Sequence, residues 1–347
     1  MIKNLKQLPL ILSVPLISSL LVACGGGSGV STTADGTNIT SGRITGFGSI
    51  IVNGIRFDVD DATFRKDDVS SQQSDFQIGE YIVIKGSIDE TGLNGTATEV
   101  IFKDLLEGQV TNVSVDGVSI EVLGQTISTD ESTVFHGFTA LTDLIEGSIV
   151  EVSGIKDADG MIIATSIELE DDSFVDGESE NEIKGIISDL NATLMTFQIG
   201  NLIIDYSSAE LDDFDNDLPV DGQFVEVKSD QAISENTLVA TKVELEEDEI
   251  SSDSDSEMDI EGIVTRYVSA TDFDVNGIAI TTNESTKFEH GLVTDLALNV
   301  LVEVEGKFND SGILIAEEVE FEGSDDDSDD SDDEEDEEDE EDEIDGI

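Results

Sequence analysis

Four segments of the chain repeat one order of short sequence patterns, and this repetition limits the fold more than any other feature. Each copy opens with a glycine and a β-branched strand, and the four leading glycines are Gly42, Gly108, Gly185 and Gly262. A pattern that recurs as a whole indicates that each copy is one supersecondary unit. We therefore expect four tandem modules.

The first half of each copy is typical of a tight hairpin. Two short alternating strands flank a two-residue turn, which is Asn53-Gly54, Leu123-Gly124, Gly200-Asn201 or Asn276-Gly277. Asn-Gly and Gly-Asn adopt the positive φ angles that primed hairpin turns need. A two-stranded hairpin is expected at each of these places.

The second half of each copy predicts a short irregular or helical insert and two further strands. The insert ends in an aspartate and a bulky apolar residue: Asp75-Phe76, Asp143-Leu144, Asp217-Leu218 and Asp295-Leu296. The next strand is YIVIKG, IVEVSG, FVEVKS or LVEVEG, and its alternation of apolar and polar residues is the period of a half-buried strand. Copy three departs from the others because Ser229 replaces the glycine that ends this strand.

About five strands per copy predict an all-β chain of four small antiparallel barrels. Closure removes exposed sheet edges, so an OB-like five-stranded barrel is the first interpretation and a small sandwich the second. The predicted segments are a lipoprotein signal peptide 1–23, a flexible tether 24–40, module one 41–104, module two 105–171, a linker 172–181, module three 182–247, an acidic linker 248–257, module four 258–322 and a disordered acidic tail 323–347. From the linkers we expect modules one and two to dock, and modules three and four to flex as beads.

The start of the chain predicts export and a lipid anchor. A basic start precedes an apolar run that is too short to span a bilayer comfortably. The sequence Leu21-Val22-Ala23-Cys24 resembles the lipobox of bacterial lipoproteins. This resemblance implies cleavage between Ala23 and Cys24, lipid attachment to Cys24 and anchoring in a membrane. In a Gram-negative host, the sorting tendency of that family implies the outer membrane rather than the inner one, because Gly25 and not Asp follows Cys24.

The repeat itself resembles a known family. The combination of GFGSIIVNGIRFDV, the aspartate-plus-apolar element, VEVxG and a closing ATxVE strand is similar to the repeat of bacterial lipoproteins that carry the domain of unknown function 5666. The similarity covers residues 41 to about 322 and is strongest in copy one. It implies a fold and a location in the cell envelope, but no activity.

Net charge excludes nucleic acid as a partner. The chain has 81 acidic and 15 basic residues, for a formal charge of −66. Such a field repels phosphate backbones, whose recognition needs clusters of Lys and Arg. Because the last 24 residues contain 18 carboxylates and no apolar period, we expect a solvated tail.

Few residues favour catalysis. The chain has no G-x-S-x-G motif, and its only near-neutral bases are His136 and His290, which occupy matching places in copies two and four. A two-histidine metal site between copies is one alternative. With so many carboxylates, a pair suited to glycoside hydrolysis is not diagnostic.

Calcium is the candidate cofactor. Asp213, Asp215 and Asp217 imitate the first three ligand positions of an EF-hand loop. Leu218 stands where the loop needs Gly, and Phe224 stands where it needs a bidentate Glu. These three aspartates are therefore a weak candidate metal site.

Together these features predict a lipid-anchored, non-catalytic cell-envelope protein with a structural, adhesive or ligand-binding role. An envelope protein or a glycan is the expected partner, besides the membrane that Cys24 would reach. The alternatives are an envelope enzyme that acts on a polymer and a specific calcium-binding protein.

Overall fold

A computed structural model describes residues 38–67, 69–214, 218–246, 250 and 256–322. These residues form 27 β-strands and two short 3-10 helices, so the predicted all-β class with four tandem repeats is confirmed. No helix among the described residues is long and apolar enough to cross a membrane.

Each module contributes its strands in the predicted order. Module one contains β1 (Asn38–Arg43), β2 (Ile50–Val52), β3 (Ile55–Asp58), β4 (Thr63–Lys66), β5 (Val69–Ser71), β6 (Tyr81–Ile88) and β7 (Asn94–Phe102). Module two contains β8 (Leu106–Val113), β9 (Ser119–Val122), β10 (Gln125–Ser128), β11 (Val134–His136), β12 (Ile149–Lys156) and β13 (Ile162–Asp171). Module three contains β14 (Asn181–Ile186), β15 (Ser188–Asn191), β16 (Thr196–Ile199), β17 (Leu202–Asp205), β18 (Glu210–Asp212), β19 (Phe224–Ser229), β20 (Thr237–Val239) and β21 (Lys242–Leu245). Module four contains β22 (Glu257–Ser269), β23 (Asp272–Val275), β24 (Ile278–Thr281), β25 (Lys287–Glu289), β26 (Leu301–Phe308) and β27 (Leu314–Phe321).

Strand pairing follows one path in every module. In module two, β8 pairs with β9, β9 with β10, β10 in parallel with β13, β13 with β12, and β12 again with β8. Module four repeats these pairings with β22, β23, β24, β27 and β26. In module one the pairing between the first and second strands is reduced to one bridge, between Gly46 and Ile51. In module three the first strand is interrupted to give β14 and β15, and the last strand to give β20 and β21.

The predicted hairpin turns are all present. They join β2 to β3, β9 to β10, β16 to β17 and β23 to β24. Asn53 and Gly54 have φ angles of 49° and 69°, and Asn276 and Gly277 have 48° and 83°. This is the left-handed backbone for which Asn and Gly are suited.

In modules one and two the aspartate-plus-apolar element forms a 3-10 turn, and the apolar side chain after the turn packs into the core. The turns are Gln73–Asp75 and Leu141–Asp143, and the apolar residues that follow, Phe76 and Leu144, are buried. In module three the apolar residue of this element, Leu218, is exposed, and Phe214 is buried instead. The DDFDND sequence places an aromatic ring four residues earlier, and that ring fills the core.

The repeated glycine at the end of the fourth strand has a structural reason. A Cβ at Gly154 would lie 2.3 Å from the carbonyl oxygen of Ile163, and Gly86 and Gly306 are equally close to the strand opposite. The register shifts at each of these glycines, which is the signature of a β-bulge. In module three Ser229 is buried and donates to the carbonyl of Val239 at 2.7 Å, so a side chain fills this place.

The modules are joined by strand pairing rather than only by linkers. Strand β1 pairs in parallel with β22, which connects module one to module four. Strand β8 pairs with β14, and modules two and three share one hydrophobic core. The expectation that modules three and four flex as beads is therefore wrong for the described residues.

Three predicted boundaries shift by a few residues. Strand β1 begins at Asn38, inside the predicted tether 24–40. Asn181, assigned to the linker 172–181, begins β14, and Glu257, assigned to the acidic linker, begins β22. Each shift has the same cause, because these polar residues belong to strands that pair with another module. The predicted signal peptide and the predicted acidic tail lie outside the described residues.

Candidate functional site

A buried lysine lies where modules one, two and three meet. The Lys184 ammonium, on β14, contacts Asp104 and Glu182, and lies 3.2 Å from Asp67 and 3.4 Å from Glu226. The Lys184 side chain is only 2% exposed. We call these five residues the Lys184 junction.

Alternation along β14 places this lysine. In the antiparallel ladder of β14 and β19, Glu182 is opposite Lys228 and Lys184 is opposite Glu226. Opposite charges at facing positions stabilise a strand pair. Lys228 donates to Glu182 at 2.6 Å, so two cations alternate with two carboxylates on one face.

Mutual attraction keeps Lys184 and Glu182 charged. Burial alone would lower the pKa of Lys184, but Asp104, Glu182 and their neighbours raise it well above its usual range. Burial would raise the pKa of Glu182, yet Lys184 and hydrogen bonds lower it below its usual range. For Glu226, burial and the nearby Glu182 raise the pKa to about 8. Lys184 therefore stays protonated, and Glu226 is the carboxylate whose ionisation is made unfavourable by burial and by its negative neighbour.

A second buried cluster joins modules one and two. Lys66 lies 3.1 Å from Glu80 and 3.3 Å from Glu151, and it stacks 4.7 Å above the centre of the Phe102 ring. Burial is the largest influence on Glu151, whose pKa is raised to about 8 although Lys66 opposes the shift. We call this cluster the Lys66 junction.

Among the described residues, three groups of carboxylates have the spacing of metal ligands, and a lysine contacts at least one member of each group. The groups are Asp67, Asp104 and Glu182; Glu80, Glu151 and Glu168; and Glu226, Glu244 and Glu246. Lys184 contacts the first group and Lys66 the second, while Lys103 lies 2.5 Å from Glu246 in the third. A lysine ammonium thus balances at least one carboxylate of each group.

A polar cavity of about 360 Å³ opens between modules two and three. Its lining includes Glu121, Asn201, Glu235 and Asn236. Glu235 and Asn236 have positive φ angles of 49° and 60° in the turn that forms one wall. The cavity offers hydrogen-bonding groups to a polar ligand.

The predicted calcium ligands are only partly described. Asp213 is exposed and has a φ angle of 59°. Asp215 and Asp217 lie outside the described residues, as do Ala23 and Cys24 of the predicted lipobox.

The two histidines do not occupy equivalent positions, contrary to expectation. The ladder register matches His136 to Glu168 in module two, and Glu289 to Glu320 in module four. His290 therefore comes one residue later. The ring of His136 lies 2.8 Å from the carbonyl of Ile78, and that of His290 lies 2.8 Å from Glu320, so the two rings do not form a shared site.

The junction lysines were missed by sequence reasoning, although a signal exists. The strands NEIKGI and FVEVKS carry Glu and Lys two residues apart on one face. In a chain with 15 basic residues, lysines inside apolar strands are conspicuous. Their partners Asp67 and Asp104 come from distant segments that no local pattern connects.

A comparison with protein-family models finds the same four repeats. No curated protein matches the chain. Among solved structures, drosophila Unr CSD456 matches at 18% identity and a TM-score of 0.17, over 62% of this chain and 95% of that one. The family model described as a domain of unknown function, DUF5666, matches residues 38–101, 107–168, 184–244 and 261–320. The chain belongs to the DUF5666 family and carries four copies of its domain.

Proposed function

We propose that this chain is a lipid-anchored, non-catalytic scaffold of the cell envelope, held at the outer membrane through Cys24. The observation that supports the scaffold role is that buried lysines form ion pairs between modules. Lys66, Lys103 and Lys184 each bind a carboxylate of another module in a chain that has few basic residues. Buried carboxylates arranged in this way serve assembly rather than chemistry.

Within this proposal each module is an OB-like five-stranded barrel. Support comes from the pairing path of module two, in which the first strand pairs with both the second and the fourth, and the third runs parallel to the fifth. A closed path of this kind covers the edges of the five strands that form it. Module faces then remain available for an envelope protein or a glycan.

The anchor is tested by mass spectrometry of the membrane-bound protein. We expect an N-terminal cysteine with added acyl mass, since two or more chains are needed for stable anchoring. Cys24→Ser is expected to release the protein from the membrane fraction. An unmodified N-terminus, or equal membrane binding of Cys24→Ser, would contradict the proposal.

An envelope enzyme acting on a glycan remains the second candidate, and the cavity between modules two and three favours it. Glu121 and Glu235 both line that cavity, as a pair of catalytic carboxylates would. Incubation with envelope glycans separates the candidates. Hydrolysis that is lost in both Glu121→Gln and Glu235→Gln would favour the enzyme, whereas the scaffold predicts no turnover.

A further inference from the structure

Modules three and four differ in charge at one set of equivalent positions. In module three the facing pairs are Glu182 with Lys228 and Lys184 with Glu226. In module four the same ladder positions hold Asp259 with Glu305 and Glu261 with Glu303. Two lysines of module three are thus replaced by glutamates, and two stabilising pairs become two like-charge pairs.

Two of the four carboxylates of module four, Asp259 and Glu261, contact module one. Strand β1 pairs with β22, and Thr40 is opposite Asp259 in this parallel ladder. Arg43 of module one lies 3.3 Å from Glu261 and balances one negative charge. Asp259 lies farther along the strand, is 4% exposed and receives a hydrogen bond from Asn53 at 2.7 Å.

Several buried oxygens at this place have no hydrogen-bond partner. They are Oδ2 of Asp259, Oγ1 of Thr40 and Oδ1 of Asn53. Thr40 is 1% exposed, so water does not replace the missing partner at low cost. Asp259 also lies within hydrogen-bond range of Glu303, and the two can satisfy each other only by sharing a proton, because ionised carboxylates only accept.

Module four lacks the positive charges that balance these carboxylates in module three. In module three the equivalent carboxylates are balanced by Lys184 and Lys228. The same surface in module four thus has the anions without those two cations.

We propose that Asp259, Glu303, Thr40 and Asn53 form a site for one divalent cation of the calcium type, bound between modules one and four. Calcium accepts six to eight oxygen ligands in flexible geometry, including carboxylate, amide and hydroxyl oxygens. In module four the bound cation balances the negative charge that Lys184 and Lys228 balance at the equivalent positions of module three. Because both modules supply ligands, the cation strengthens their contact. This inference depends on no part of the proposed anchor and concerns residues other than Asp213, Asp215 and Asp217.

Terbium luminescence tests this site on the full chain. Terbium replaces calcium at oxygen sites and emits when a nearby tyrosine transfers its excitation. Tyr81 is suitably placed, because its hydroxyl donates to the carbonyl of Glu261 at 2.6 Å. The acidic segment 323–347 contains no tyrosine, so terbium held there adds no sensitised signal of its own.

We expect saturable tyrosine-sensitised emission that calcium displaces. Asp259→Asn should weaken terbium binding at least tenfold, and Tyr81→Phe should remove the emission. Asp310→Asn, which removes one charge from an exposed turn of the same module, is the matched control and should bind as the wild type does. Absence of sensitised emission, or equal binding by Asp259→Asn and the wild type, overturns the site and leaves a shared proton between Asp259 and Glu303.

A second variant copies the charge of module three. Glu305→Lys places an ammonium opposite Asp259, as Lys228 stands opposite Glu182. We expect this variant to lose terbium binding and to melt, in the presence of a chelator, at or above the temperature of the wild type. A variant that keeps wild-type affinity, or a wild type whose melting temperature does not rise with calcium, would overturn the proposal.

Discussion

Replacing Lys184 by methionine isolates the charge of the buried lysine. Methionine keeps most of the apolar stem of the side chain, so packing changes little. The substitution leaves Asp104, Glu182 and Glu226, all at most 5% exposed, without their shared cation.

The expected loss is large because burial prevents water from compensating. Removing one partner of a buried ion pair costs about 3 to 5 kcal/mol of unfolding free energy. Proteins are stable by only about 5 to 15 kcal/mol, so Lys184→Met removes a large fraction of that margin. The loss should shrink at lower pH, because the stranded carboxylates then take up protons.

Urea unfolding at several pH values measures this loss, with Lys287→Met as the control. Lys287 also pairs with a carboxylate, Glu318 at 3.0 Å, but its side chain is 70% exposed. A surface pair is worth about 0 to 1 kcal/mol. If Lys184→Met costs no more than Lys287→Met, the reasoning that buried lysines hold the modules together is refuted.

Three further predictions concern titration, bulges and packing. Because burial raises the pKa of Glu151 and Glu226 to about 8, the folded state binds these protons more tightly than the unfolded state. Their stabilising contribution is full below about pH 4 and is lost as the pH rises towards 8, with a slope of about 1.4 kcal/mol per pH unit for each proton; denaturation curves that show rising stability between pH 5 and 8 would contradict this. Gly154→Ala should cost about 1 to 3 kcal/mol because its Cβ meets the Ile163 carbonyl, and a neutral result in thermal unfolding would show that the bulge relaxes. Phe214→Ala should cost about 3 to 5 kcal/mol, whereas Leu218→Ala should stay within about 0.5 kcal/mol; equal losses would mean that Phe214 is not the core residue of module three.

Local sequence patterns predicted the modules well, since each depends on neighbouring residues. The turn at Asn53-Gly54 and the alternation in LVEVEG follow from backbone preference and period, and both are found in the structure. Module three was predicted less well. Its three aspartates around Phe214 obscure which apolar residue enters the core, and its core extends into module two.

Contacts between modules could not be predicted in the same way. Asn38 and Glu257 are 219 residues apart, and neither the polar sequence around Asn38 nor that around Glu257 resembles an ordinary buried strand. The Lys184 junction likewise gathers Asp67 and Asp104 of module one and Glu182 of module three. One sequence shows which residues alternate, but it does not show which distant strand lies beside them.

An engineered disulfide across modules one and four tests the central claim, that the four modules form one joined body. In the ladder of β1 and β22, Asn38 is opposite Glu257 and donates to it at 2.6 Å. Neighbouring strands are about 4.8 Å apart, within the span that a disulfide bridges. In a Cys24→Ser background, Asn38→Cys with Glu257→Cys should oxidise to an intramolecular bridge seen by mass spectrometry. The control pair, Asn38→Cys with Asp310→Cys, should stay reduced. Equal bridging by both pairs, or by neither, would contradict the account.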